Sequence, residues 1–187
     1  QLREQTVSED RKDLANHIVR QLLWSARNHL EAAETRVDAQ YSAEESVTPL
    51  NSLTPFVRQE IAIYTGTAAE HLLRALLTGA GKEVLKTDMS TLISRAKGLF
   101  PDFTLHRNAL RRVGRSRNAA IHEGQGPGLR EAIINLRATE EFAHFVNREL
   151  QRVSHPVLGE FKEFDDFQDS EAASRALLEW ESEVQRR

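Results

Sequence analysis

Apolar residues recur every three or four positions along most of this chain, and that spacing constrains its fold more than any other feature. It is the spacing of one buried face on an α-helix. No segment shows the strict apolar–polar alternation of a half-buried strand. We therefore predict an all-α bundle of about five helices. The first stripe consists of Leu14, Ile18, Leu22, Ala26, Leu30, Ala33 and Val37.

Capping residues, prolines and glycines mark where the helices begin and end. Thr6 and Glu9 have the spacing of a capping box, which predicts a first helix from about residue 7 to the low 40s. Thr54 followed by Pro55 predicts the start of a second helix that ends near Gly79. Further helices are predicted over 90–99, 105–121 and 129–153. The second helix is expected to bury Phe56, Ala68, Leu72, Leu73 and Leu76.

The character of the chain changes after Pro156. We expect residues 1–156 to form the helical domain and residues 157–187 an acidic C-terminal extension, with a short helix over 170–184. The extension carries nine anions and four cations, whereas residues 95–117 carry seven cations and one anion. It is expected either to compete with RNA for this basic stretch or to pack elsewhere, on the domain or on a partner. Its aromatic residues among the acids are Phe161, Phe164, Phe167 and Trp180.

Composition excludes several classes of protein. The chain has no cysteine, which excludes a disulfide framework and fits a cytoplasmic location. No run approaches the roughly 20 apolar residues of a membrane helix, so no membrane partner is expected. Glu140-Glu141 and Asp165-Asp166 are expected to be solvated charge, and neither a metal nor a cofactor is expected. The histidines without metal-ligand spacing, expected to be structural or at the surface, are His17, His29, His71, His106, His144 and His155.

The segment 115–122, late on the basic helix, holds the residues most suited to chemistry. Arg115, Asn118 and His122 share one stripe of that helix, and Arg117 lies about 140° from His122 around an ideal helix. Histidine transfers protons near neutral pH, arginine binds phosphate, and asparagine can orient either group. Together they suit the metal-independent cleavage of RNA by its own 2′-hydroxyl. A solvated basic helix whose cations complement the helix dipole also fits these residues.

The segment Arg117-Asn118-Ala119-Ala120-Ile121-His122 resembles the Arg-x4-6-His motif of HEPN domains. Residues 68–77 are similar to the second helix of that family, with Glu70 as its acidic residue. A short glycine-bearing loop follows the motif, and a helix then opens at Arg130-Glu131-Ala132, as in the family. The resemblance covers about residues 10 to 153.

The resemblance implies an endoribonuclease, a hydrolase of RNA in toxin–antitoxin or antiviral defence systems, that acts as a homodimer with two motifs in one cleft. It implies catalytic roles for Arg117, Asn118 and His122. Glu70 is expected either to support an arginine of the site or merely to pair with Arg74. The residues expected to bind the RNA substrate are Arg107, Arg111, Arg112 and Arg115.

Besides the endoribonuclease, two other functions are compatible with the sequence. Some HEPN domains have lost the motif and serve as interaction modules, so the chain is also compatible with a non-catalytic module that binds a partner protein, such as an antitoxin, or a nucleotide. The third possibility is an unrelated helical scaffold whose basic helix touches nucleic acid through phosphates alone.

Overall fold

The computed structural model describes residues 2–45, 54–82, 84 and 86–152, and these form five α-helices and one short 3-10 helix, with no β-strand. The prediction of an all-α bundle is confirmed. None of the helices described is long and apolar enough to cross a membrane. The predicted extension, residues 157–187, lies outside the described residues. The helices are α1 (Leu2–Glu45), α2 (Thr54–Gly79), α3 (Met89–Leu99), α4 (Thr104–His122) and α5 (Leu129–Arg152), with the 3-10 helix at Pro101–Phe103.

Helix α2 is the centre of the bundle and contacts each of the other four α-helices. Its apolar residues are therefore buried around most of its circumference, as expected for a helix surrounded by others. The space between α4 and α5 is filled by an aromatic cluster, in which the rings of Phe103 and Phe142 meet edge to face at 5.8 Å. This apolar burial supplies most of the stability of such a bundle.

The helices that contact each other run antiparallel. At successive contacts between two such helices, the residue numbers rise along one helix and fall along the other. This order brings the end of α4, the start of α5 and the start of α2 to one end of the bundle. The contacts that show it are Arg36–Glu60 and His29–His71 between α1 and α2, Glu70–Arg117 and Gln59–Gly124 between α2 and α4, and Arg112–Asn135 and Ser116–Glu131 between α4 and α5.

Helix α1 departs from its prediction in two respects. It begins at Leu2, so that Thr6 lies within the helix and is not its N-cap. Leu14 and Ile18, predicted to be buried, are 60% and 38% exposed, because the face of α1 that packs on the bundle is rotated away from them. The apolar residues that form the buried face are Val19, Leu23, Ala26, Leu30, Ala33 and Val37.

Two further predictions about burial were wrong. Phe56 was expected in the core but is 60% exposed, since it lies in the first turn of α2, before the level at which Gln59 contacts the loop after α4. Glu140 was expected to be solvated but is only 4% exposed, because α5 packs against α1, α2 and α4 at once. Burial raises the pKa of Glu140, although Arg137 donates a 3.0 Å hydrogen bond to its carboxylate. Glu141 is exposed, as expected.

Candidate active site

Arg117 faces α2 and not the solvent. Its Nη1 donates a 2.7 Å hydrogen bond to Oε2 of Glu70, and the two side chains are 24% and 18% exposed. The Nε of Arg117 is buried and has no hydrogen-bond partner in the part of the chain that the structure describes. The guanidinium is therefore anchored at one nitrogen, and its Nε could donate to a ligand only if the groups that cover it moved.

A glycine on α2 makes room for this arginine. A β-carbon at Gly66 would lie 2.5 Å from both Cβ and Cδ of Arg117, far inside van der Waals contact. Gly66 and Glu70 are four residues apart, so they share one stripe of α2. The arginine side chain thus crosses α2 at the glycine and reaches the carboxylate one turn further along.

The Glu70 carboxylate binds two arginines at once. Its Oε1 accepts hydrogen bonds from Nε and Nη2 of Arg74 at 3.0 and 2.7 Å, while Oε2 accepts from Arg117. The two roles considered for Glu70 are therefore both present, one on each oxygen. Burial alone would raise the pKa of Glu70, but the hydrogen bonds and charges of Arg74 and Arg117 outweigh it and hold that pKa below its ordinary value.

Arg74 also ties this group to the segment between α2 and α3. It donates hydrogen bonds to the backbone carbonyls of Val84 and Thr87 at 2.5 and 2.8 Å. Each partner of Glu70 is therefore fixed in turn, Arg117 by the packing of α4 on Gly66 and Arg74 by the loop. The carboxylate has little freedom to move away from Arg117.

A histidine pair lies near the same carboxylate, since His71 directly follows Glu70 on α2. The rings of His29 on α1 and His71 on α2 meet edge to face, with 5.5 Å between centroids. Burial, and then the charge of His29, lower the pKa of His71. The lowered pKa keeps His71 neutral near pH 7, so it adds no positive charge beside Arg74 and Arg117.

The outer face of α4 presents a polar stripe to solvent. Arg111, Arg115, Asn118 and His122 are all exposed, at spacings of four, three and four residues. Neither Asn118 nor His122 makes a hydrogen bond or ion pair with another described residue. His122 is the last residue of α4, so its imidazole stands at the end of the stripe, free to contact a ligand.

The loop after His122 is fixed to the start of α2. Gly124 adopts a left-handed conformation with φ of 67°, which glycine tolerates best, and its carbonyl accepts a hydrogen bond from the side chain of Gln59. A β-carbon at Gly126 would lie 2.6 Å from the backbone nitrogen of Gln59, so this loop needs glycine for its close approach to α2. The position of His122 is therefore set by contacts on both sides of it along the chain.

One copy of the chain does not bring all the predicted site residues together. Arg117 points to α2, whereas Asn118 and His122 lie on the exposed side of α4. Arg107 and Arg112, predicted to bind RNA, are half-buried. Arg112 donates a 2.8 Å hydrogen bond to Oδ1 of Asn135 on α5, so its guanidinium already has a protein acceptor.

Sequence reasoning did not find Gly66 or Asn135. A glycine inside an otherwise helical pattern was the available signal for Gly66, because such a glycine costs about 1 kcal/mol relative to alanine and needs a packing reason. Nothing in the sequence distinguishes Asn135, which is buried and donates from its Nδ2 to Ser116 at 3.1 Å.

Among the described residues no group of three or more His, Asp or Glu side chains is arranged to hold a metal ion. No protein-family model, no curated protein and no solved structure matches this chain at a significant level.

Proposed function

We propose that this chain is a HEPN-type endoribonuclease of the cytoplasm that cleaves RNA without a metal or a cofactor, in a toxin–antitoxin or antiviral defence system. The observation that supports this most is the placement of Arg117. It is held by Glu70 and Gly66 while 24% of its side chain stays exposed, five residues before an exposed histidine that ends the same helix. A phosphate-binding arginine and a proton-transferring histidine are the two groups that this reaction requires.

The reaction follows from those groups. The ribose 2′-oxygen attacks the adjacent phosphorus and loses its proton, and the bond from phosphorus to the 5′-oxygen breaks. The 5′-oxygen takes up a proton, which leaves a 2′,3′-cyclic phosphate and a free 5′-hydroxyl. His122 transfers the proton, and Arg117 stabilises the negative charge that develops on the phosphoryl oxygens. Asn118 orients the substrate, and Arg111 and Arg115 bind flanking phosphates.

The proposal includes a homodimer. Within one copy Arg117 and His122 lie on different sides of α4, so a single phosphate would not contact both. Two copies that meet at the ends of their α4 helices would place His122 of one beside Arg117 of the other. In an isologous dimer of this kind the same surface contributes both groups, and two equivalent sites result.

A specific observation favours the second candidate, a non-catalytic interaction module for a partner protein such as an antitoxin, or for a nucleotide. The ion pair with Glu70 already satisfies part of the charge of Arg117, and three-quarters of that side chain is covered. A purely structural arginine would have the same surroundings. The two candidates differ in whether removal of Arg117 abolishes an activity or only lowers the stability of the bundle.

One experiment separates these candidates. Full-length protein is incubated with single-stranded RNA and with DNA of the same sequence, in EDTA, as wild type, Arg117→Ala and His122→Ala. Lys97→Ala serves as the matched control, because Lys97 is an exposed cation on α3, away from the site. Circular dichroism checks that each variant remains helical.

We expect cleavage of RNA alone, lost in both site variants and kept in Lys97→Ala. Intact RNA with no retardation on a gel would support the interaction module instead. Salt-sensitive binding of both nucleic acids without cleavage would indicate a scaffold that contacts phosphates only.

A further inference from the structure

The first four turns of α1 extend past the helix that packs on it. His29 lies between Tyr64 and His71 in the antiparallel contact of α1 with α2. Both helices rise by 1.5 Å per residue, so the same antiparallel pairing can be extended to Gly79, the last residue of α2. At that level the paired position on α1 is about residue 17. Residues 2–17 of α1, about 24 Å of helix, thus lie beyond α2. We call these residues the α1 overhang.

Large apolar side chains are exposed on and just below the overhang. They are Leu14, Ile18 and Trp24, which we call the α1 patch. By helical spacing Leu14 lies nearly opposite the buried residues Val19 and Leu23, and Ile18 and Trp24 lie on either side of Leu14 around the helix. Three large apolar residues are thus exposed within eleven positions of one helix, which offers apolar surface that a further segment can cover.

The chain leaves the described bundle at the base of the same overhang. Glu140 on α5 lies near enough to Glu34 on α1 for their carboxylates to repel each other. Because α5 runs antiparallel to α1, its last residue, Arg152, lies about 18 Å further on, level with about residue 22 of α1. The described part of the chain therefore ends at about the level of Trp24 along α1.

We propose that the acidic C-terminal extension of the same molecule, residues 157–187, docks on the α1 patch. Phe161 is nine positions after Arg152, and a chain of that length can span about 30 Å, more than the 10–12 Å diameter of a helix. The helix predicted over 170–184 would be about 22 Å long, which matches the length of the overhang. The extension supplies aromatic groups for the patch, namely Phe161, Phe164, Phe167 and Trp180.

Apolar surface, and not charge, distinguishes this placement from docking on α4. The extension has five more anions than cations, but the exposed charged residues that border the patch, Asp13 and Arg20, are of opposite sign. The polar stripe of α4 has more positive charge. However, the exposed large apolar residues of that helix, Leu105 and Ile121, are about 24 Å apart along its axis. Burial of apolar surface drives docking, whereas exposed charges are screened within about 10 Å. The α1 patch is therefore a better binding surface than α4 for a segment rich in phenylalanine.

Trp24 reports on this docking in the full-length protein. The chain has two tryptophans, so Trp180→Phe leaves Trp24 as the sole indole fluorophore. In that background we compare Phe161→Ala/Phe164→Ala/Phe167→Ala with a control of three polar substitutions in the same segment, Gln168→Ala/Ser170→Ala/Ser174→Ala. The measurements are the emission maximum and the quenching by iodide, at several protein concentrations.

We expect a several-fold rise in quenching and a red shift in the phenylalanine variant, with no change in the control. Equal quenching in both would overturn the proposal. Protection of Trp24 that grows with protein concentration would also overturn it, since a second copy would then cover the patch.

A second measurement does not depend on fluorescence. Because the chain lacks cysteine, Ile18→Cys/Phe164→Cys introduces a single pair of thiols. We expect oxidation to form a disulfide within one chain, which shifts the monomer band on a non-reducing gel. Oxidation to a disulfide-linked dimer, or no disulfide at all, would contradict docking within the molecule.

Discussion

Arg117 of α4 lies against Gly66 of α2, so closely that a β-carbon at residue 66 would come within 2.5 Å of its Cβ and Cδ atoms. The same stripe of α2 presents Glu70, which accepts a hydrogen bond from Arg117. The two contacts together fix where the guanidinium can be. Substitutions at Gly66 or Glu70 would therefore be expected to shift the Arg117 side chain without removing it.

The first prediction is that Gly66→Ala destabilises the protein although alanine is the better helix former. The added methyl would displace α4, which we expect to cost about 1–3 kcal/mol of unfolding free energy, as overpacking does. Gly98→Ala on α3 is the control, because a β-carbon there meets nothing within 4 Å. It should gain up to about 1 kcal/mol from helix propensity. Urea unfolding measures both, and a stabilised Gly66→Ala would show that the close packing is absent.

The second prediction concerns Glu70→Gln. We expect it to lower the rate of RNA cleavage, because a neutral amide holds the Arg117 guanidinium less firmly. Glu60→Gln is the matched control, since it weakens a similar half-exposed ion pair, with Arg36, away from the site. Each variant should lose about 1 kcal/mol of stability, because partly exposed pairs contribute little. Equal activity of the two variants would leave Glu70 with a structural role alone.

The third prediction is that His71 and His106 make the folded protein less stable as the pH falls from 7 to 5, whereas Glu140, whose pKa is raised, acts in the opposite direction. Burial lowers the pKa of His71 and of His106, so both bind a proton less readily in the folded protein than in the unfolded chain. Their contribution is present above the unfolded pKa, about 6.5, and is lost as the pH falls below it. The pKa of Glu70 is also lowered in the folded protein. Its contribution to the free energy of unfolding is therefore lost only below about pH 4.5.

Urea midpoints at pH 5, 6, 7 and 8 test this prediction. We expect a falling midpoint below pH 7 and no change between pH 7 and 8 from these histidines. The variant His71→Leu/His106→Leu should flatten the dependence between pH 5 and 7. An unchanged slope in that variant would place the titrating groups elsewhere.

The fourth prediction divides the basic residues of α4 into two kinds. Arg115 is exposed, whereas Arg112 donates to Asn135 on α5. Arg115→Ala should weaken RNA binding and reduce the magnitude of the salt dependence by about one phosphate contact. Arg112→Ala should mainly lower stability, by about 1–3 kcal/mol, because the buried Asn135 loses a donor.

The salt dependence of RNA affinity and a double-mutant cycle between Arg112→Ala and Asn135→Ala check this division. Contacting residues should show a coupling of about 0.5–3 kcal/mol. A large loss of RNA affinity in Arg112→Ala, without loss of stability, would instead place Arg112 among the RNA-binding residues.

The sequence by itself determined the class of fold and the approximate helix ends. Its 3.6-residue periodicity, the Thr54-Pro55 start and the glycines after residue 122 are local signals, and a helix is stabilised by contacts between residues close in the chain. The sequence also placed Arg115, Asn118 and His122 on one stripe, because helical geometry is the same wherever the helix packs.

Only the tertiary structure decided which face of each helix is buried and what Arg117 contacts. Leu14 and Ile18 satisfy the helical pattern as well as Leu23 does, but burial depends on which face of α1 the neighbouring helices cover. The meeting of Arg117 with Gly66 and Glu70 joins residues about 50 positions apart, and no local rule specifies such a contact. Long-range packing, which depends on the shape of every helix at once, set the position of the arginine on which the proposed activity depends.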